Sequence, residues 1–371
     1  MNVDRIRADV EALAAMTRDS AGAGERASAA WLAEQLREAG AQVEVQPYRG
    51  SPTDAHHNLL LCAATLMASF ARAPLRLATA LAAIVAWELD ASGRARPLRR
   101  ILPRGEGANV IARVAARGRG RGTLVVVAHH DAQRTGLIWS PRMTQAGARR
   151  HLRRRRVDPF AAPAVAALAA TGMRLRWGRL ALAAILALQL DWARGATVAG
   201  ASDNATGVAS ALELARQAPF GDLDLVVVLP GCEESGMEGF AAALSSLELD
   251  RATTLVLGLD TLGAGTPIVL GSEGALLEHH YVQADLRIAD EGAALAGKPP
   301  PERWRIGGWT DPLLALHKGL RTISLLSMGP GYFPHYHHPS DTPQNVDRAS
   351  VQRCARIADG IARTWARRCA A

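Results

Sequence analysis

Two histidines and four carboxylates, each at the end of an apolar run or just before one, are the side chains of this sequence with the strongest chemical potential. His129 opens the triplet His129-His130-Asp131, and Asp203 sits inside G-A-S-D-N-A-T-G at 200–207. Glu233 and Glu234 follow Pro230-Gly231-Cys232, Asp260 ends the run Thr254–Leu259, and His337 lies in Tyr336-His337-His338-Pro339-Ser340-Asp341. Imidazole and carboxylate donors without a thiolate suit zinc, with cobalt or manganese as substitutes. Five ligands with one shared can hold two ions about 3.5–4 Å apart. Five such ligands are on offer, one from each of the segments around His129-His130, Asp203, Glu233-Glu234, Asp260 and Tyr336-His337-His338, with Asp203 the candidate bridge. In His129-x-Asp131 the carboxylate is placed to hold the ring nitrogen that a metal would not use.

Taken singly, each position has a plainer reading. Asp203 precedes the helical pattern Val208, Ala211, Leu212, Ala215 and could simply cap it. Glu233 and Glu234 could be a solvated loop, since adjacent carboxylates repel unless cations intervene. Significance comes from convergence, which requires a scaffold that brings five separate segments to one place.

That scaffold is predicted to be a sheet. Helices are expected at 2–17 and 25–39, then an edge strand at Gln42–Pro47, where Val43 and Val45 alternate with polar neighbours. Strands at Asn109–Ala115 and Thr123–Ala128, separated by the glycine-rich Arg117–Gly122, read as an antiparallel pair. After Asp203 the pattern alternates: a helix at 206–217, strand Leu223–Leu229, a helix near 237–247, strands Thr254–Leu259 and Pro267–Leu270, and a helix near Leu276–Leu295. A helix at 310–318, the strand Thr322–Leu326 and a last helix at Ser350–Arg368 complete the chain. Apolar strands followed by helices predict an α/β fold, a three-layer αβα arrangement with a mixed, largely parallel central sheet. Carboxyl ends of parallel strands share one rim, and His129, Glu233, Glu234, Asp260 and His337 all follow strands.

Two stretches do not belong to that alternation. The insertions 56–107 and 133–198 each hold two apolar arms with arginines at the tip: Asn58–Phe70 and Leu75–Leu89, then Phe160–Met173 and Leu180–Leu190. Every arm is shorter than the about 20 residues that cross a bilayer comfortably. Either the four arms bury one another as an inserted helical subdomain, or they contact a membrane through 58–89 and 160–190. If they span, the arginines at Arg94–Arg104 and Arg149–Arg156 place the catalytic part in the cytoplasm by the positive-inside tendency.

With 371 residues and 49% hydrophobic content, a single domain carrying these insertions is expected. The net charge of +8 comes without a zinc finger, an RNA-recognition signature or a basic heptad helix, so nucleic acid is not expected as a partner. Four scattered cysteines, Cys62, Cys232, Cys354 and Cys369, suggest neither a disulfide framework nor a thiolate site. The first residues lack the apolar run of a secretory signal, and a cytoplasmic catalytic domain is the simplest expectation.

The ordered motifs resemble those of the di-zinc aminopeptidases of metallopeptidase family 28, clan MH. The resemblance rests on H-x-D at His129–Asp131, G-x-x-D-N-x-x-G around Asp203, E-E-x-G at Glu233–Gly236, L-D at Asp260 and Y-H-x-x-x-D at Tyr336–Asp341. It is supported by N-V-I at Asn109 and G-x-T-D at Thr310–Asp311. It covers the chain outside the insertions. It implies one zinc bound by His129 and Asp260 and another by Glu234 and His337, with Asp203 bridging. It also implies Glu233 as the general base serving a hydroxide between the metals, and Tyr336 as a donor to the oxyanion. His337 is preferred to His335 and His338 because only it has an aspartate four residues on, and His129 to His130 because of the H-x-D spacing. The family also implies that both hairpins leave the sheet beside the active rim, where they could form a lid or membrane-facing wall that restricts access to short peptides.

The resulting expectation is a zinc-dependent exopeptidase, an aminopeptidase before a carboxypeptidase, acting on peptides. A glutaminyl cyclase-like acyltransferase with one zinc, and an inactive membrane-associated scaffold with none, are the alternatives. His56, His57, His151, His279, His280 and His317 read as surface or interface residues, and Trp304 and Trp309 as pocket walls or ordinary packing.

Overall fold

The computed structural model describes residues 1–159, 167, 168, 171 and 175–370. The chain opens with helices α1 (Val3–Ala14) and α2 (Ala23–Glu38), strand β1 (Gln42–Gly50), and the first inserted hairpin, α3 (Ala55–Ala68) and α4 (Ala73–Ala91). Strands β2 (Gly105–Val114) and β3 (Gly122–Val127) follow. The second insertion contributes α5 (Pro141–Thr144), α6 (Ala148–Arg154), the short β4 (Arg156–Val157) and α7 (Leu175–Arg194). Then come α8 (Thr206–Gln217), β5 (Leu223–Leu229), α9 (Glu238–Ser246), β6 (Thr254–Leu259), β7 (Thr266–Glu273) and β8 (His279–His280). The chain closes with α10 (Gln283–Leu295), β9 (Glu302–Ile306), α11 (Pro312–His317), β10 (Arg321–Met328) and α12 (Arg348–Ala370).

Alternation along the central strands explains the layers. Val110, Ala112, Leu124, Val126, Leu225, Val227, Leu255 and Leu257 face the side covered by α1, α2, α8, α10 and α12. Ile111, Val125, Val127, Val226, Val228 and Val256 face the side covered by α9 and α11. Both faces are buried, so these strands read as unbroken apolar runs. A Leu or Val of this kind, fully withdrawn from water, contributes about 1.5–3 kcal/mol. The strand order is β1-β2-β5-β3-β6-β10-β7-β9-β4, with β8 on β7. β5, β3, β6 and β10 run parallel to one another, while β1, β2 and β7 are antiparallel to their central neighbours. The α/β fold with a mixed, largely parallel sheet is therefore as expected, including β1 at an edge.

Three local expectations are corrected. β2 and β3 are not a hairpin pair: β5 lies between them, antiparallel to β2 and parallel to β3. A glycine-rich link of hairpin length thus crosses over one strand, because the apolar run of β5 offers two faces to bury. The helix expected from Leu276 begins at Gln283, since His279–His280 pair with Ser272–Glu273 in β8 and β7. Strand β9, hidden in a basic-aromatic stretch, was not foreseen.

The hairpin arms α3, α4 and α7 bury Leu61, Cys62, Ala83, Trp87 and Leu182 against one another, together with Ala167 and Leu168. Apart from Ala167, Leu168 and Thr171, the arm Phe160–Met173 lies outside the described residues. Among the described residues no helix is long and apolar enough to cross a membrane, so spanning arms are not borne out.

Candidate metal centre

The carboxyl ends of β3, β5, β6 and β10 deliver, in turn, His129, Glu233 with Glu234, Asp260, and the loop that carries His337. Asp203 arrives from the loop before α8. Gly200 there has φ +59 and a Cβ would stand 2.7 Å from the Arg18 guanidinium, so the turn needs glycine. Asn204 ties this loop to the end of β6: its amide donates to the Leu259 carbonyl (2.9 Å) and its oxygen accepts from the Thr261 N–H (3.1 Å). Asp203 and Asp260 are thereby held in mutual register. The simple capping role for Asp203 does not occur, since Ala205 is the N-cap of α8 and makes no side-chain cap bond.

The side chain of Asp203 lies between two imidazoles. Its Oδ1 is 3.3 Å from His129 Nε2 and its Oδ2 is 3.2 Å from His337 Nε2. Glu234 Oε2 is 3.1 Å from His337 Nε2, and Asp260 Oδ1 is 3.9 Å from His129 Nε2. The five residues named from sequence are thus brought together. His130 points away, between Ser28 Oγ (2.8 Å) and the Ala108 carbonyl (2.9 Å), and His335 and His338 share the Ser340 hydroxyl.

Asp131 does more than hold a ring. It lies 3.4 Å from His129 Nδ1 and accepts the Glu233 N–H (3.1 Å), the Glu234 N–H (3.3 Å) and the Ser20 hydroxyl (2.7 Å). One buried carboxylate so fixes His129 and the Glu233–Glu234 loop together. Arg18, fully buried, donates to the carbonyls of His130 (3.0 Å), Ala199 (2.6 Å) and Gly200 (2.7 Å), joining the His129–Asp131 loop to the loop that carries Asp203.

Six carboxyl groups, Asp131, Asp203, Glu233, Glu234, Asp260 and Asp311, crowd a site where Arg18 faces Asp131, Asp203 and Glu234 and Arg96 acts on Asp311. Burial alone would favour neutral histidines. Yet Glu233 and the carboxylates of Asp131, Asp203 and Asp260 hold His129 well above the usual imidazole range, and Glu234 with Asp203 lifts His337 to about 9. Burial would raise Asp203, but the two imidazoles outweigh it and hold it below the carboxylate range. Glu234 is pushed by burial up to about 7, and Glu233 is raised well above the usual value by enclosure and by Asp311, Glu234 and Asp260, against His129.

This donor set fits divalent metal. His129, Asp203 and Glu234 offer ligand atoms within 4.8 Å of one another. The separations of 3.1–3.3 Å match donors about 2.0–2.1 Å from a tetrahedral ion, roughly 3.3 Å apart. Glu234 Oε1 and His337 Nδ1 are buried without a hydrogen-bond partner, as are both oxygens of Asp311. Buried, uncompensated carboxylates cost several kcal/mol each, which cations would offset.

A cavity of about 270 Å³ opens onto the cluster. Glu233, Glu234, Tyr336 and His337 form its polar end; Leu61 and Trp87 of the first insertion and Ile138, Trp139, Ile185 and Trp192 of the second line the rest. Trp139 stands edge-on to His337 with ring centres 4.3 Å apart, and Tyr336 stacks on the same imidazole at 3.6 Å. Gln133 donates to Glu234 Oε2 (3.0 Å) and accepts from Trp192 Nε1 (3.1 Å). Sequence reasoning missed Arg18, Gln133 and Trp139, whose roles have no local motif. Trp309 lines the cavity beside Trp87, whereas Trp304 is core. His57, His151 and His279 are buried, not surface residues: His57 pairs with Asp90 (3.2 Å), His151 bonds the Gly331 carbonyl (3.1 Å), and His279 meets His317 (3.3 Å).

Residues 183–361 match the model of peptidase family M28. No curated protein sequence matches the chain. Solved structures share the fold: an aminopeptidase from Aneurinibacillus sp. strain AM-1 superposes with a TM-score of 0.58 at 15% identity, covering 97% of this chain and 93% of that one. A zinc aminopeptidase from Bacillus subtilis gives 0.57 at 14%, covering 97% and 94%. A glutaminyl cyclase from Bacteroides thetaiotaomicron, bound to N-acetylhistamine, gives 0.59 at 15%, covering 98% and 97%.

Proposed function

The chain belongs to peptidase family M28 and is a metallopeptidase, and from this premise we propose that it is a two-zinc aminopeptidase removing N-terminal residues from short peptides. The observation that carries this reading is the Asp203 carboxylate, whose two oxygens face two different imidazoles at 3.3 and 3.2 Å. In this reading His129 and Asp260 hold one ion, Glu234 and His337 the other, and Asp203 bridges. When bound, the ions supply Lewis acidity for the scissile carbonyl and the attacking water.

The remaining chemistry belongs to the chain. Glu233, placed by the Asp131-bound backbone and raised well above the usual carboxylate range, is suited to take the proton of the attacking water and pass it to the departing amine. Burial and the surrounding carboxylates keep Tyr336 a neutral phenol, able to donate to the developing oxyanion. Both insertions, 56–107 and 133–198, contribute walls to the cavity within what we read as one catalytic unit, which favours short substrates.

Turnover of aminoacyl arylamides and of their N-acetylated counterparts, before and after chelation and zinc return, tests the reading. Activity on the free-amine substrates that is lost on chelation and restored by zinc, at about two metals per chain, is the expected result. One metal per chain with cyclisation of N-terminal glutamine would replace it with the cyclase chemistry of the Bacteroides neighbour. Glu233→Gln should retain metal and lose activity by at least about a hundredfold.

A further inference from the structure

The described arms of the insertions, α3, α4 and α7, bury one side and leave apolar side chains bare on the other. Met67, Phe70, Leu75, Leu81, Trp177 and Leu180 are each 56–72% exposed. On α4 the exposed Leu77, Leu81 and Val85 recur every four residues, a continuous apolar stripe on one face. Such a patch on a water-soluble surface signals a partner.

The charge around it says which. No Asp or Glu occurs from Ala55 to Trp87 or from Leu175 to Leu190, while Arg72, Arg76, Arg176 and Arg179 surround the apolar tips. Arg179 of α7 fastens the two hairpins there: it donates to the Ser69 carbonyl (2.6 Å) and hydroxyl (3.0 Å) and lies over the Phe70 ring at 4.2 Å. The tip of the first hairpin and the first turns of α7 are thus fastened together, with Phe70 and Trp177 exposed and Arg72, Arg76, Arg176 and Arg179 close to them in sequence. Two copies of this chain meeting through it would bring like-charged arginines together. Anionic headgroups above an acyl layer complement both features.

We propose that the tip of the first hairpin, with the start of α7 beside it, docks into the surface of a bilayer containing anionic lipid. The arms insert without crossing: no described helix is long and apolar enough to span. Aromatic and arginine side chains then sit at the headgroup level that each favours. The basal halves of the same arms line the cavity through Leu61, Trp87 and Ile185, so the catalytic body stays on the aqueous side with its apolar pocket next to the docking surface.

Co-sedimentation of the full chain with phosphatidylcholine vesicles, with and without about one-third phosphatidylglycerol, tests this. Binding to the phosphatidylglycerol vesicles should exceed that to phosphatidylcholine alone by at least about tenfold, and the excess should shrink at about 1 M salt, where screening acts within about 3 Å. The exposed triple variant Phe70→Ser, Leu75→Ser, Leu81→Ser should partition at least about a hundredfold less, with an unchanged melting temperature showing that it folds. Arg72→Gln with Arg176→Gln should lose the lipid preference while keeping the weak apolar binding. Absence of vesicle binding, or triple-variant binding equal to the parent, would overturn the proposal. So would a dimer in sedimentation velocity that the triple variant dissolves while vesicles are ignored. None of these readouts depends on peptidase activity.

Discussion

Asp341 holds Asp203 by the backbone and leaves its carboxylate free: Asp341 accepts the Ser202 N–H at 2.8 Å and the Asp203 N–H at 3.1 Å. The aspartate that marked His337 in the sequence therefore serves a different candidate ligand, Asp203, across 138 residues of chain. Aimed in this way, the Asp203 side chain can face two imidazoles at once. Asp341→Asn keeps one acceptor and turns the other into a donor facing an N–H. Apparent zinc affinity, titrated in chelator-buffered zinc, is expected to fall about 10–100-fold, with much of the turnover recovered at saturating zinc. Unchanged affinity would show that the loop keeps its shape without this carboxylate.

Arg99 anchors the first insertion to the loop that carries Glu233 and Glu234. Its guanidinium is buried against Asp90 (2.8–2.9 Å) and Asp54 (2.6 Å) at the two ends of the hairpin, and also donates to the Ser235 carbonyl. Gly236, at φ +108, makes room for it, since a Cβ would approach Arg99 Nη2 to 2.5 Å. Arg99→Ala strands buried carboxylates and should cost about 3–5 kcal/mol in urea unfolding. Adding Asp90→Asn should recover part of that loss; if the single variant unfolds like the parent, the anchor is not energetic.

Glu273 should give stability a pH dependence of a particular sign. Burial lifts its carboxyl to about 8, although Tyr281 and Thr310 donate to it. The folded value lies above the unfolded one, so its contribution is fully present below the unfolded pKa of about 4.5 and is lost as pH rises through about 8. Melting temperatures should decline from pH 6 to 9 by an amount corresponding to a few kcal/mol. Glu273→Gln, neutral throughout, should flatten that decline; an identical slope would assign it elsewhere.

Trp139, from the second insertion, braces His337. Its ring packs edge-on against His337 and against Trp192 at 5.3 Å, and Trp192 is bonded through Gln133 to Glu234. Trp139→Ala should lower kcat/KM by about 10–100-fold through loosened ligand geometry while the metal content stays at the parent level. Loss of metal in that variant would show that the ring is needed for binding itself.

Much was legible because strand and ligand motifs are local. The runs Leu124–Ala128, Leu223–Leu229 and Thr254–Leu259 are apolar on both faces, and a donor follows each, so a parallel sheet with a shared rim could be read directly. The strand order could not. Whether β3 pairs with β2 or with β5 turns on which faces bury best after collapse, and the link Arg117–Gly122 suits either. Arg18, Arg99 and Gln133 were invisible for a related reason: each is a polar residue in an ordinary stretch, and its value arises only from loops more than a hundred positions away or from carboxylates gathered by folding.

By itself the sequence determined which side chains could meet a metal, and that strand ends would present them together, because side-chain chemistry and strand periodicity are properties of short segments. Tertiary structure decided that Asp203 faces both His129 and His337, that Asp131 and Asp341 aim the loops, and that the insertions supply the cavity wall. Those outcomes depend on distances between remote segments, which packing of the whole core sets and no single stretch of residues contains.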